Sequence, residues 1–303
     1  MYKPVVLIVL DGWGISNNSK GNVLKEAKLP TIEKLDHYYP MTTLQASGIS
    51  VGLFWGEPGN SEVGHMAIGA GKIIYQNLPR ITLSIQDRTF FSNEVLSEVM
   101  ESVKSKGSSL HVMGLVGMGS VHSYMDHLYA ILEMAKEKQL SNVYIHAFTD
   151  GRDSPPTSGI KTIQNLQDHL KSIGIGKIAT ICGRNWAMDR NNNWDRIEKA
   201  YKLLTEGQGE QFDSAIKCLE DSYAKDITDE YVEPSVIMEN GKPIATIKEG
   251  DAAIFFNFRE DRARQLTKAF TLPEFEGFKR DILGVEFATM VEYEKDLPVK
   301  IAY

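Results

Sequence analysis

The sequence predicts an α/β protein with a largely parallel sheet. Short apolar runs alternate with longer amphipathic segments along most of the 303-residue chain. The runs are continuously apolar, which is typical of strands covered on both faces. Alternation of strands and helices favours parallel pairing. The predicted strands are residues 5–10, 110–117, 143–148, 177–182 and 252–258.

The helical segments between these runs have apolar residues recurring at the 3.6-residue helical period. One helix is predicted after Ser92, a candidate N-cap, and ends at Gly107. Asn240-Gly241 lies between two apolar runs and predicts a hairpin. Further helices are predicted within residues 123–138, 157–174, 194–207 and 214–226.

The composition bounds the class of protein. Hydrophobic residues make up 42% of the chain and charged residues 24%, which is ordinary for a globular protein. The net charge of −7 argues against nucleic acid or an anionic membrane surface as the main partner. The apolar run 5–10 is too short for a signal peptide or a membrane span. Cys182 and Cys218 form no C-x-x-C motif, so we expect a reduced, cytoplasmic protein without a disulfide framework.

The chain is long enough for roughly two domains of about 150 residues. Its sequence character changes in the weakly patterned region 72–92. We expect a domain boundary there.

Charged or histidine side chains follow all five predicted strands. In open α/β sheets, ligands bind beyond the carboxyl ends of the strands. Five of these residues are arginines, whose planar guanidinium groups match phosphate and carboxylate. They favour a small ligand with several negative charges, such as a phosphorylated carboxylic acid. The residues are Asp11, His122, Asp150, Arg152, Asp153, Arg184, Asp189, Arg190, Arg259 and Arg262.

Each of these residues also has a plainer interpretation. An arginine can simply pair with a nearby acid, for instance Arg152 with Asp153 or Arg262 with Asp261. Asp153 and His122 are candidate acid–base groups. The neighbouring arginines should lower the pKa of Asp153 and favour a base, or else Asp153 is a carboxylate that caps its loop. His122 and His127 have a spacing close to a metal pair, but His127 would rotate off the face. His122 is therefore interpreted as a ligand-binding or core histidine.

The stretch "GNSEVGHMAIGAG", residues 59–71, places Ser61 near the start of a glycine-rich helical segment. The simplest role for Ser61 is a helix N-cap. A serine at a helix N-terminus is also well placed to carry a covalent phosphate. No Ser-His-Asp set is visible nearby, so activation would fall to a divalent metal, with Asp11 as a natural ligand.

These residues resemble the cofactor-independent (2,3-bisphosphoglycerate-independent) phosphoglycerate mutases of the alkaline phosphatase superfamily. The similar stretches occur in family order over essentially the whole chain. They are "LIVLDGWG", "GNSEVGHMAIGAG", "VHSYMDHLYA", "FTDGRDSPP", "CGRNWAMDRNNNWDR", "DAAIFFNFREDRARQ" and "EYEKDLP".

The resemblance implies a monomeric enzyme that interconverts 3-phosphoglycerate and 2-phosphoglycerate, with two Mn²⁺ ions and no 2,3-bisphosphoglycerate. It implies Ser61 as the nucleophile, Asp11 and Ser61 as metal ligands, and Asp153 as the group that transfers a proton. It also implies that the glycines of 59–71 let a phosphoserine and a metal lie against the backbone. The implied substrate-binding residues are His122, Arg152, Asp153, Arg184, Arg190, Arg259 and Arg262.

Family members are longer, so this chain is similar to their N-terminal portion. Residues 1–75 correspond to the first part of an α/β phosphatase domain, and residues 76–303 to an α/β transferase domain. The other metal ligands and a substrate-contacting lysine lie in the remainder of the family sequence. Tyr124 stands where many relatives have a second histidine.

Three hypotheses follow for the function. The first is the N-terminal portion of a phosphoglycerate mutase, inactive as this chain. The second is a phosphoglycerate-binding module without turnover. The third is a metal-dependent phosphatase of the same superfamily.

Overall fold

The computed structural model describes residues 3–303, which divide into two compact units, one ending at Pro79 and the other spanning Arg80–Tyr303. Over the described residues, no helix combines the length and apolar character needed to cross a membrane.

The first unit contains helices and loops. Its α-helices are α1 (Val23–Glu26), α2 (Pro30–Tyr38) and α3 (Ser61–Ala70), and a 3₁₀ helix spans Gly48–Val51. The prediction of a buried strand at 5–10 is wrong for this chain, because these residues form no regular element and their side chains are 44–97% exposed. A strand needs a neighbour for its backbone hydrogen bonds, and none of the described residues pairs with this run.

The second unit is an α/β fold around one sheet. Helix α4 (Asn77–Gln86) spans the border between the units, and 3₁₀ helices lie at Thr89–Ser92 and Asp229–Tyr231. The remaining helices are α5 (Glu94–Lys106), α6 (Met125–Glu137), α7 (Gly159–Ile173), α8 (Arg184–Ala187), α9 (Trp194–Glu206), α10 (Ala215–Ala224) and α11 (Arg264–Thr271). The strands are β1 (Leu110–Val116), β2 (Val143–Thr149), β3 (Lys177–Gly183), β4 (Glu210–Phe212), β5 (Ser235–Glu239), β6 (Lys242–Pro243), β7 (Ala252–Phe255), β8 (Glu286–Thr289) and β9 (Lys300–Ile301).

The sheet has the strand order β4-β5-β3-β2-β1-β7-β8-β9, and β6 pairs with β5. All pairs are parallel except β3 with β5 and β5 with β6. Every residue of β1 is buried, as its continuous apolar run predicts. The chain proceeds from β1 through β2 to β3 on one side, whereas β7 lies on the other side of β1. In open α/β sheets, a reversal of this kind is the place where ligands bind, at the carboxyl ends of the central strands.

Two predicted boundaries need correction. The cap of α5 is Asn93, whose side chain accepts a hydrogen bond from the Leu96 N–H at 3.0 Å, whereas Ser92 ends the preceding 3₁₀ helix. Strand β7 stops at Phe255 rather than at residue 258. Beyond it, the Asn257 side chain accepts the N–H of Leu115 at 2.9 Å, so a side chain replaces the backbone ladder. The hairpin at Asn240-Gly241 is confirmed, with φ values of 54° and 76° that suit a type I′ turn.

Candidate functional site

Four loops meet beyond the carboxyl ends of β1, β2, β3 and β7, which are neighbours in the sheet. The loop after β1 lies directly against the loop after β2. A Cβ atom at Gly119 would lie 2.8 Å from the carbonyl oxygen of Asp153, closer than a side chain tolerates. The loop after β1 also contacts the segment after β7, where the Phe258 N–H donates to the His122 carbonyl at 2.9 Å. The sheet topology therefore brings all seven predicted substrate-binding residues to one edge.

Arg184 is the buried centre of this site, with 2% of its side chain exposed. Its Nη1 atom donates to Asp150 and to Asp153, each at 2.6 Å. Burial tends to lower the pKa of Arg184, but these two carboxylates raise it overall. Its Nε atom is buried and has no hydrogen-bond partner. The site therefore has a permanent guanidinium charge at its centre, with one donor that no group of the described residues satisfies.

Asp153 remains ionised beside Arg184. Burial alone would raise the pKa of its carboxyl group, but the hydrogen bond and positive charge of Arg184 lower the pKa overall. A carboxylate of low pKa is a hydrogen-bond acceptor and a weak base. The interpretation of Asp153 as no more than a cap of its own loop does not explain the contact with Arg184, which lies 31 residues away.

His122 lies between two carboxylates. Its Nε2 atom is 3.7 Å from Asp153 Oδ2, and its Nδ1 atom is 3.5 Å from Asp261 Oδ1. Burial and the charge of Arg184 lower its pKa to about 4, so the imidazole is neutral at pH 7. The Nδ1 atom has no hydrogen-bond partner. This geometry supports a ligand-binding histidine.

A metal pair of His122 with His127 is not formed. His127 is buried and contacts the Thr82 hydroxyl through Nε2 at 3.1 Å. Among residues 3–303, no group of three or more His, Cys, Asp or Glu side chains is arranged to hold a metal ion.

Asp261 joins the loops after β3 and β7. Its carboxylate accepts from Arg190 Nη1 at 2.7 Å and lies 3.2 Å from Arg259 Nε. Burial would raise the pKa of Asp261, but the Arg190 hydrogen bond and the Arg259 charge lower it overall. Arg190 and Arg259 remain about half exposed, at 47% and 45%, so an incoming anion can reach both.

Arg262 differs from the other site arginines. Its recorded hydrogen bond goes to the backbone carbonyl of Met188, at 3.2 Å, rather than to a carboxylate. Burial and the nearby charge of Arg184 lower its pKa. Arg262 therefore has no carboxylate among its recorded hydrogen bonds within residues 3–303, and a bound anion would stabilise its positive charge.

Arg152 pairs with Glu230 at 3.3 Å, not with Asp153 as the simple alternative supposed. Pairing with an acid holds for four of the five arginines, since Arg262 contacts a carbonyl. The five guanidinium groups face Asp150, Asp153, Asp261 and Glu230, so the site is positive by one charge. This balance fits an anionic ligand better than a purely structural network.

Asp261 and Glu230 are site residues that the sequence did not single out, whereas Asp150 was among the residues expected after β2 but had no assigned role. Asp261 stands next to Arg262 in the chain, and that proximity was an available signal. Glu230 lies 78 residues after Arg152. No local sequence pattern relates those two positions.

The first unit brings Asp11 and Ser61 together, although they are 50 residues apart in the chain. The Ser61 hydroxyl donates to Asp11 Oδ2 at 2.5 Å, and both residues are exposed. The simple assignment of Ser61 as the N-cap is wrong. Asn60 caps α3 by accepting the N–H of Val63 at 3.1 Å, so the Ser61 hydroxyl is not needed for capping.

The glycines of 59–71 have different local surroundings. A Cβ atom at Gly59 would lie 1.7 Å from the carbonyl oxygen of Ala46, so glycine is required there by a backbone contact within the chain. Added Cβ atoms at Gly64 and Gly69 would meet nothing within 4 Å. Open space beside these two positions is compatible with a group that approaches the backbone.

Asp11 and Ser61 fit a hard divalent cation in part. A carboxylate and a hydroxyl in contact are two oxygen donors of the kind that Mn²⁺ and Mg²⁺ accept. Two donors do not complete a coordination shell of such an ion. The pair can therefore contribute to a metal site but does not form one alone.

A sequence profile described as the BPG-independent PGAM N-terminus matches residues 81–295, well over half of the chain. The chain belongs to this family. Among similar proteins, the 2,3-bisphosphoglycerate-independent phosphoglycerate mutase of Clostridium perfringens strain 13 is 53% identical over 302 residues, covering 99% of this chain and 59% of the relative. That of Moorella thermoacetica is 47% identical over 303 residues, with the same coverages.

Membership of the BPG-independent PGAM N-terminus family agrees with the architecture. A crystal structure of Leishmania mexicana phosphoglycerate mutase, determined at low cobalt concentration, is similar with a TM-score of 0.75 and 30% identity. The match covers 89% of this chain and 51% of that one. The chain thus spans little more than half the length of the family members it resembles, and it matches their N-terminal portion.

Proposed function

We propose that this chain is the N-terminal portion of a 2,3-bisphosphoglycerate-independent phosphoglycerate mutase, an isomerase that interconverts 3-phosphoglycerate and 2-phosphoglycerate. The observation that carries the proposal is the cluster of five arginines and one neutral histidine at a single sheet edge. Its net positive charge suits a small ligand that bears both a phosphate and a carboxylate. The names of the relatives support the same substrate.

In this proposal, residues 76–303 act as the transferase domain and hold the glycerate. Arg262 would meet the anionic group first, because its recorded partner is only a carbonyl. Arg190 and Arg259 are exposed and would turn from Asp261 toward the ligand. His122 is neutral and can donate one hydrogen bond without adding charge. Arg152, Arg184 and Asp153 complete the binding set.

Residues 1–75 would supply the phosphoryl acceptor and form part of the phosphatase domain. Ser61 Oγ forms a bond to phosphorus while the bond from phosphorus to the glycerate oxygen breaks. The Asp153 carboxylate would first take up the proton that Ser61 loses and would deliver it to the leaving glycerate oxygen. It would then receive the proton of the second hydroxyl when that hydroxyl accepts the phosphoryl group, and this proton would return to Ser61. The phosphoryl group then leaves Ser61, and the serine is restored.

Divalent metal ions, two Mn²⁺ in this proposal, would neutralise phosphoryl oxygens and favour the deprotonated Ser61 hydroxyl. Asp11 and Ser61 are the residues of this chain that would contact them. We propose that the other metal ligands lie in the portion of the family that this chain does not span. We also propose that the protein acts in glycolysis and is located in the cytoplasm. A monomer is the proposed oligomeric state.

A second function is favoured for the chain of 303 residues alone. All seven proposed substrate-binding residues lie in the unit Arg80–Tyr303, whereas Asp11 and Ser61 lie in the other unit with an incomplete metal donor set. We therefore expect this chain to bind phosphoglycerate without turning it over. The arginine set disfavours a general phosphatase, which has no need to recognise the carboxylate of glycerate.

Calorimetric titration of the chain with 3-phosphoglycerate tests the proposed site. We expect binding that weakens as salt is raised, because the contacts are between charges. Arg262→Ala should reduce affinity at least tenfold, since charge-assisted hydrogen bonds are worth about 1.5–3 kcal/mol.

Arg88→Ala is the matched control, since Arg88 is 57% exposed and pairs with Glu133 and Glu137 outside the site. It should leave binding unchanged. Absence of heat at low salt, or equal losses in the two variants, would contradict the proposed site.

A further inference from the structure

Asp150 is a buried carboxylate that accepts hydrogen bonds with both of its oxygen atoms. It follows β2 directly and is 2% exposed. Its Oδ1 atom accepts from Arg184 Nη1 at 2.6 Å and from the N–H groups of Asp153 at 3.1 Å and Arg152 at 3.3 Å. One carboxylate oxygen thus holds the turn that presents both of those residues to the proposed ligand.

The other oxygen of Asp150 reaches a second loop. Ser154 Oγ donates to Asp150 Oδ2 at 2.6 Å. The same hydroxyl accepts the N–H groups of Met118 at 2.9 Å and Gly119 at 3.0 Å, both in the loop after β1. Since His122 lies in that loop, Asp150 is connected by hydrogen bonds to the loops after β1, β2 and β3.

Asp150 and Asp153 share one cation. Both carboxylates accept from the same nitrogen of Arg184, each at 2.6 Å. Two like charges that share one cation repel each other. Asp150 therefore competes for Arg184 and prevents it from pairing with Asp153 alone.

We infer that Asp150 is a positioning residue, which keeps Arg184 oriented toward the ligand and keeps Asp153 able to exchange a proton. The inference rests on the proposed function for the identity of the ligand. It does not require Asp150 to touch the ligand, because its oxygens are already occupied by protein donors.

The test is Asp150→Asn in the 303-residue chain, with Asp168→Asn as the matched control. Asp168 is a helical residue whose side chain is 60% exposed and whose recorded partners are Gln164 and Lys171. Two measurements are made: calorimetric affinity for 3-phosphoglycerate, and the titration of the Asp153 carboxyl carbon followed by NMR.

Asp150→Asn should weaken binding at least tenfold and shift the Asp153 titration to lower pH, because Arg184 then pairs with Asp153 alone. Asp168→Asn should alter neither. Loss of stability with an unchanged Asp153 titration would mean that Asp150 has only a structural role and would overturn the inference. Affinity within twofold of the wild type would also overturn it.

Ser154→Ala keeps the test decisive if Asp150→Asn does not fold. It removes the link to the loop after β1 but leaves the charge of Asp150, so binding should weaken several-fold while the Asp153 titration stays in place. Unchanged binding in this variant would contradict the inference. If the wild-type chain does not bind 3-phosphoglycerate, the proposed function fails, and the Asp153 titration in Asp150→Asn alone decides the role of Asp150.

Discussion

Arg184→Ala offers a quantitative test of the ion network in the site. Arg184 and Asp150 are each 2% exposed and are joined at 2.6 Å. Removing the guanidinium leaves the Asp150 carboxylate buried without its charged partner. Breaking a buried pair in this way costs about 3–5 kcal/mol.

Asp153, the second partner of Arg184, adds little to this cost. Its side chain is 21% exposed and can regain water when Arg184 is lost. We therefore expect a loss of about 3 kcal/mol, at the lower end of the range. For a unit of the size of Arg80–Tyr303, this corresponds to a fall in melting temperature of about 6–12 °C.

Urea unfolding followed by circular dichroism measures the change in the free energy of unfolding. The double variant Arg184→Ala with Asp150→Asn should recover at least about 1 kcal/mol, because it removes the unpaired buried charge. Arg88→Ala serves as the exposed control and should cost no more than about 1 kcal/mol. The reasoning is refuted if Arg184→Ala costs as little as Arg88→Ala, or if the double variant recovers nothing.

Three further predictions concern pH, exchange and turnover. The free energy of unfolding should decrease as pH falls from about 6.5 toward 4, because burial lowers the pKa of His122 to about 4 and that of His127 to about 3. Each neutral histidine contributes fully to stability above about pH 6.5. His122→Gln should therefore reduce the slope of stability against pH by up to about 1.4 kcal/mol per pH unit. Equal stability at pH 7 and pH 5 would contradict this. Amide exchange should be fast at 5–10 and slow at 143–148 and 252–255, because the first run is exposed and unpaired whereas the other two lie in the sheet. Similar protection in all three would show that residues 5–10 pair with another segment. The chain alone should not convert 3-phosphoglycerate in the presence of Mn²⁺. In a protein extended to the length of its relatives, Ser61→Ala should abolish both turnover and the phosphoserine that mass spectrometry detects. Normal turnover in that variant would exclude the covalent step.

The elements of the Arg80–Tyr303 unit follow closely from local sequence. Continuous apolar runs correspond to β1, β2 and β3, and helical periodicity corresponds to α5, α6, α7 and α9. These signals are local, because burial on both faces or on one helical stripe is encoded in consecutive residues. The same reasoning failed for 5–10, since a strand also needs a neighbour, and neighbours are a property of the whole fold.

The convergence of the candidate residues was predictable, because polar groups at the carboxyl ends of parallel strands lie at one edge of the sheet. The ion pairs between them were not accessible in the same way. Glu230 pairs with Arg152 across 78 residues, and Asp261 pairs with Arg190 across 71 residues. Asn60 rather than Ser61 caps α3, although both residues suit a cap.

The sequence by itself determined the α/β class, most strands and helices of the larger unit, and which polar residues follow the strands, because each depends on residue type and short-range spacing. Only the tertiary structure decided which carboxylate holds which arginine, that Asp150 connects three loops, and that Ser61 meets Asp11. Those contacts join residues that are distant in the chain. Their distances and burial, which set their energies, exist only once the sheet has brought the loops together.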